Sequence, residues 1–348
     1  MAARDSSASA ARRACATSGD RRKAAFFAAA LTLALVSSGA RADARPPCAG
    51  RDLLPLIAER APADFAALEA QAAKTPFRRG NLYKVAYRDA PPSFVFGTLH
   101  LSDPRAALPP LAAAALSRAR SVVIETTDPG AQRRSPDAAL RAALRADPGE
   151  RPHDLLDADA LARLEALGQA AGFPPRAALA MKPAALALAL DLPPCARADD
   201  YADARIAASA LARGVAPVGI ETLAEQIGAL GPLDTRTAAA LLEATLKQAS
   251  AGEDIVETVL ALYAKGDLGA LLAFMRMDEP LPGVAGSGTP PEFLDLLIDR
   301  RSARMARRAA PFLKTGGAFV AVGAAHLPGE KGLLRELERR GFSVERVD

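Results

Sequence analysis

Residues 94–101 read FVFGTLHL, and residues 319–327 read FVAVGAAHL. Both carry an aromatic and β-branched string into Gly, two residues, His and Leu. Short apolar runs of this kind that end on Gly are read as buried strands. A second pair of segments echoes in the same way. VVIET at 122–126 and VGIET at 218–222 each end a β-like run on Glu. Together the two pairs indicate two related half-units that share a sheet. Two of the three histidines in the chain fall in these endings.

LYKVAYR (82–88) and SFVFG (93–97) predict a hairpin joined by Asp89, Ala90, Pro91 and Pro92. SVVIET (121–126), APVGIET (216–222), GAFVAVG (317–323) and FSVERV (342–347) predict further strands. Helical patterning covers 51–74, 106–119, much of 136–190, 201–213, 235–249, 252–264, 267–277, 292–314 and 330–340. The 136–190 stretch is broken at Asp147-Pro148-Gly149 and at Gly172-Phe173-Pro174-Pro175. The Pro- and Gly-rich stretch 279–291 reads as a flexible loop. Strands separated by helices predict an α/β (α+β) fold: a mixed central sheet flanked by many helices.

The chain has 348 residues, half of them apolar, about a quarter charged and none Trp. These are ordinary globular values, which exclude a disordered or collagen-like chain. The net charge of +4 is unevenly placed. Residues 1–42 carry +5, and the remaining 306 carry −1. The later part therefore lacks the basic footprint of a nucleic-acid binder. Residues 24–36, AAFFAAALTLALV, follow Arg21-Arg22-Lys23 and precede SSGARA. A basic region, a short apolar run and small residues predict a signal peptide over 1–42, cleaved after Ala42. The run is too short to span a bilayer. The expectation is an exported, periplasmic protein with a single domain over 43–348 and no stable membrane span after processing. Of three cysteines, Cys15 leaves with the leader. Cys48 and Cys195 form an even pair that an oxidising compartment allows to close as a disulfide.

The two G-x-x-H endings carry the chemistry. Gly at a strand terminus allows close backbone approach, and a His three residues later projects over the sheet edge. Open α/β sheets bind ligands in the crevice at the carboxyl ends of their strands. His100, His326, Glu125 and Glu221 would converge there as a divalent-metal set, suited to zinc, manganese, cobalt or iron. Set against this, a strand-end Glu is also a common helix cap or ion-pair partner. His153 reads as a surface turn residue. Arg300, Arg301, Arg304, Arg307 and Arg308 recur at helical spacing and read mostly as a solvated face.

GTLHLSDPR at 97–105 and AFVAVGAAHLPGEKGLLRELERRGFSVERV at 318–347 resemble the two signatures of the TraB/GumN family, the bacterial branch of the TraB/Tiki superfamily. VVIET, Asp203 ahead of ARIAASALARG, and VGIETLAEQ match that family in type and order. The settings of Cys48 and Cys195 resemble those of its exported members. Animal relatives are described as metal-dependent proteases that use two G-x-x-H motifs and a Glu. The resemblance therefore implies a metal-dependent hydrolase, most simply a peptidase acting on a peptide or envelope polymer. His100 and His326 match the motif histidines, Glu125 the acid, as ligand or general base, and Glu221 a second recurrent acid. Arg301 matches an arginine that would steady oxyanion charge. That arginine usually precedes Asn, which is Ser302 here. The rival expectation is a non-catalytic accessory of polysaccharide assembly or a haem-type ligand carrier.

Overall fold

The computed structural model describes residues 48–101, 103–127, 136–174, 176–196, 201–277 and 291–347. The expected leader, and all of the expected 279–291 loop except Pro291, lie outside the described residues.

Six strands form one sheet: β1 Leu82–Ala86, β2 Ser93–Thr98, β3 Ser121–Ile124, β4 Val218–Gly219, β5 Ala318–Gly323 and β6 Ser343–Arg346. Their order is β4-β3-β5-β2-β1-β6. The four strands β4, β3, β5 and β2 run parallel, and β1 runs antiparallel to both β2 and β6. The α/β class with a mixed, helix-flanked sheet is as the sequence implies. The echoing segments turn out to be neighbours. Phe94 pairs with Phe319 and Val95 with Val320 across β2 and β5, while β3 pairs with β4.

Strands covered on both faces should be apolar throughout, and β5 (AFVAVG) is. Alternate residues feed two cores. Phe96, Val122, Ile124, Phe319 and Ala321 pack under the helices Pro110–Arg118 and Ala202–Ala212. Val95, Val123, Val320 and Val322 pack against the other face, with Ile57, Leu260, Met305 and Leu313 from its helices. A third core joins the helices Ala158–Ala170, Pro183–Leu190 and Thr235–Gln248 into a lobe beside the sheet. No helix among the described residues is long and apolar enough to cross a membrane.

Four local departures from expectation have physical reasons. The 51–74 helix is two helices, Leu54–Arg60 and Pro62–Lys74, because Pro62 starts a new one at its first turn. The 106–119 helix starts only at Pro110, after a separate 3-10 turn at Pro104–Ala106. The 216–222 strand shrinks to two ladder residues. Even so, the N–H groups of Ile220 and Glu221 still donate to the carbonyls of Ile124 (3.0 Å) and Glu125 (2.7 Å). The 292–314 helix begins at Pro291, widens into a π-type turn over Asp295–Asp299, and resumes as Arg300–Thr315.

Cys48 and Cys195 form a disulfide, with Cα atoms 5.2 Å apart. It anchors the first described residues, whose backbone N–H groups also reach the helix Gly252–Ala264. Ala49 donates to Glu253, Arg51 to Asp254 and Leu53 to Thr258, at 2.7–2.8 Å.

Candidate active site

All four expected site residues follow the carboxyl ends of adjacent parallel strands: His100 after β2, His326 after β5, Glu125 after β3 and Glu221 after β4. The first motif depends on its glycine. A Cβ on Gly97 would lie 2.9 Å from Leu327 Cδ1 and 3.0 Å from Ala324 Cα. The turn of the second motif is thus seated directly on the glycine of the first. The Tyr263 hydroxyl donates to the Gly97 carbonyl at 2.7 Å and fixes the same turn.

Glu125 is buried and fully engaged. Its Oε1 accepts from the Gly323 N–H at 2.5 Å. Its Oε2 accepts from Arg301 Nη2 at 3.1 Å and Gln226 Nε2 at 3.2 Å. Burial alone would raise its pKa. The charges of His326, Arg301 and His100, with the Gly323 N–H, outweigh burial and hold it at about 2.

His326 is buried, and its Nε2 lies 3.8 Å from Glu125 Oε1. Its Nδ1 lies 2.9 Å from Ser302 Oγ. The Ser302 hydroxyl has one proton, which it donates to the Ile298 carbonyl at 2.7 Å. The network therefore assigns the ring proton to Nδ1 and leaves a lone pair on Nε2, facing Glu125. The wide turn at Asp295–Asp299 presents these acceptors, since the Leu297 carbonyl likewise takes Arg301 Nη1 at 3.1 Å. Burial, then the Arg301 charge, lowers the His326 pKa to about 4, so the ring is neutral near pH 7.

Glu221 stands elsewhere than the ligand position expected of it. Its Oε2 accepts from Arg301 Nη2 at 2.8 Å, and its Oε1 accepts from Arg304 Nε at 2.9 Å and from Arg304 Nη2. Both oxygens are spent on guanidinium groups. Glu221 is the ion-pair partner that strand-end acids often are. The arginine face is corrected by the same contacts. Arg301, Arg304 and Arg308 lie on one side of their helix and clamp Glu125, Glu221 and Glu225. Opposing acids at the sheet edge, not solvent, explain that spacing. Arg301 itself is buried and engages Glu125, Glu221 and the Leu297 carbonyl.

His100 is half-exposed at the rim, with its Nε2 3.6 Å from Asp203 Oδ2. Among the described residues no three His, Cys, Asp or Glu are gathered closely enough to hold a metal ion. Instead two His–carboxylate pairs, His326 with Glu125 and His100 with Asp203, stand at the same strand ends. Asp203 Oδ1 and Oδ2, Thr98 Oγ1 and Thr126 Oγ1 are buried without hydrogen-bond partners among the described residues. A neutral imidazole with a free Nε2 and unsatisfied carboxylate oxygens is donor chemistry that fits a divalent cation. His100, the exposed member, packs its ring against Tyr201, with centroids 4.9 Å apart. Asp203, Gln226 and Ser302, which lie in or beside the segments matched to the family and were given no role there, also belong to the site.

Thr98, His100, Glu125, Arg301, Gly323 and His326 line one side of a cavity of about 380 Å³, whose other polar groups are Asp191 and Gln248. Its other walls are mainly apolar, including Leu188, Leu192, Val259, Phe274, Phe293 and Leu297.

The two perturbed groups dictate a pH response. Folding lowers the His326 pKa from 6.5 to about 4, so the unfolded chain takes the proton first. Stability should be full above pH 6.5 and decline toward pH 4, by at most roughly 3 kcal/mol from this group. Glu125, lowered from 4.5 to about 2, adds a second loss below pH 4.5. Urea midpoints measured from pH 4 to 8 should show this decline, and His326→Gln should flatten its upper part. Parallel curves for the two proteins would contradict the neutral, buried imidazole.

The fold and crevice define a class: α/β proteins that gather His and carboxylate side chains at the carboxyl ends of parallel strands. Within it, the chain belongs to the TraB/PrgY/gumN family, whose family model matches residues 81–346. No curated protein and no solved structure matches the chain.

Proposed function

We propose that this protein is a metal-dependent hydrolase of the cell envelope, with peptide bonds as its target, exported to the periplasm behind a cleaved leader. The observation that carries the reading is His326: a neutral ring with its proton tied at Nδ1 and its Nε2 lone pair beside an ionised carboxylate. His326, His100 and Glu125 would hold zinc, manganese or cobalt. Such an ion supplies Lewis acidity, polarising a carbonyl and easing the ionisation of water.

The protein's own groups do the rest. Ser302 keeps the His326 tautomer fixed, as the outer partners of metal-binding histidines do. A carboxylate held at about 2 is a weak base. Of the two roles expected of Glu125, ligand and general base, its surroundings support the ligand. Arg301 keeps Glu125 ionised and oriented, and its charge favours negative charge developing on a bound carbonyl. The apolar walls suit an apolar residue beside the scissile bond.

The test is cleavage of a peptide library by the purified protein with added Zn²⁺, Mn²⁺ or Co²⁺. Wild type should cleave next to apolar residues, and His326→Ala should lose at least a hundredfold in rate. No cleavage with any metal, or equal cleavage by both proteins, overturns the reading. A second reading, a non-catalytic carrier, draws on the lack of three gathered ligands among the described residues. It expects tight binding of an apolar or haem-type ligand without turnover.

A further inference from the structure

Five acids are buried among the described residues: Glu125, Asp203, Glu221, Asp267 and Asp299. Four of them face an arginine. Glu125 and Glu221 share Arg301, Asp267 takes Arg78, and Asp299 takes Arg276. Asp203 differs. It lies in the first turn of Ala202–Ala212, is only 6% exposed, and has both carboxylate oxygens without a hydrogen-bond partner among the described residues. The His100 imidazole faces it, Nε2 to Oδ2 at 3.6 Å, with the Thr98 hydroxyl and the Glu125 charge nearby, and burial holds its pKa above the ordinary carboxylate value. Thr98 Oγ1, on the strand that leads to His100, is likewise unpartnered.

A carboxylate accepts and cannot donate, so burying one without a donor is costly. Such an orphan in a native fold asks for an explanation, and an ion is one of the few available. The 3.6 Å gap is too long for a hydrogen bond. It is close to the separation of about 3.4 Å expected between two donors on one tetrahedral ion with bonds of about 2.0–2.1 Å.

We propose that Asp203 belongs to the cation-binding set of the crevice and holds the ion together with His100. This rests on the metal-dependent reading above and adds a residue to it. The ion would favour the ionised carboxylate that burial disfavours, and would tie the first G-x-x-H motif to the helix across from it.

The experiment titrates ZnCl₂ and CoCl₂ into metal-free wild type, Asp203→Asn and His100→Gln, following heat of binding and melting temperature. Wild type should bind and melt higher with metal. Asp203→Asn should bind at least tenfold more weakly, yet melt no lower than wild type without metal, because the amide has the same shape and no charge to bury. His100→Gln, altered at a half-exposed position, should show the same tenfold loss and keeps the test decisive if the Asn variant does not fold. Wild-type affinity in either variant overturns the proposal. So does a metal-free Asp203→Asn that folds but melts several degrees lower, since Asp203 would then have a structural partner. Failure of wild type itself to bind either ion would bring down the metal-dependent reading along with this one.

Discussion

Arg301→Leu should lower unfolding stability by about 3–5 kcal/mol, the size expected when one partner of a buried ion pair is removed. The arginine is 6% exposed and spans two carboxylates. The loss should fall mainly on Glu125. Glu221 keeps Arg304, whereas Glu125 is left with the neutral donors Gln226 and Gly323. Adding Glu125→Gln to the leucine variant should therefore recover more stability than adding Glu221→Gln. A second consequence reaches His326. The Arg301 charge is one of the two causes that lower its pKa, with burial the larger. In Arg301→Leu the ring should titrate higher and turn to Glu125 as a charged partner. Urea unfolding of the single and double variants, with NMR titration of the His326 ring, checks both. A loss under about 1 kcal/mol, or strict additivity with Glu125→Gln, would show that the arginine acts outside this cluster.

Replacing Cys48 and Cys195 together by Ser should cost up to about 5 kcal/mol on the chain-entropy model, because the bridge closes a long loop. Their sequence separation is 147 residues. Three backbone hydrogen bonds hold the same segment in place without the bridge. The bridge has a second address. Leu192, three residues before Cys195, is part of the crevice wall. Opening the bridge should loosen that wall and weaken binding of any apolar ligand, even where the fold survives. Guanidinium unfolding with and without reductant measures the first effect. Identical midpoints would mean the bridge adds nothing to stability.

The sheet and the strand-end residues were largely legible in the sequence, and the reason is local. A β-branched run ending in Gly and followed by His has a distinctive composition, and the run repeats. Pairing of β2 with β5 was implied only as a shared sheet, since register is set by packing between distant segments. The rest of the site depends on contacts that carry no local mark. Asp203 looks like any acid in the first turn of a helix, where the helix dipole favours one. Gln226 sits inside a helix whose visible signal is its capping box, Thr222 with Glu225. The spacing of Arg301, Arg304 and Arg308 is the same for a solvated stripe and for a clamp, and only the acids across the gap tell them apart. The widened turn at Asp295–Asp299, which frees two carbonyls for Arg301 and Ser302, had no sequence cue at all.

The strand order also constrains the birth of the molecule. β2 and β3 are made early, but the strand that sits between them, β5, is made after both of them and after β4. Ser93 Oγ accepts from the Ala318 N–H across 225 residues of chain. Until that late segment arrives, the first hairpin has a bare hydrogen-bonding edge, and such an edge invites pairing with the wrong neighbour. The crevice closes only when β5 slots into the middle of the sheet and brings His326 beside Glu125.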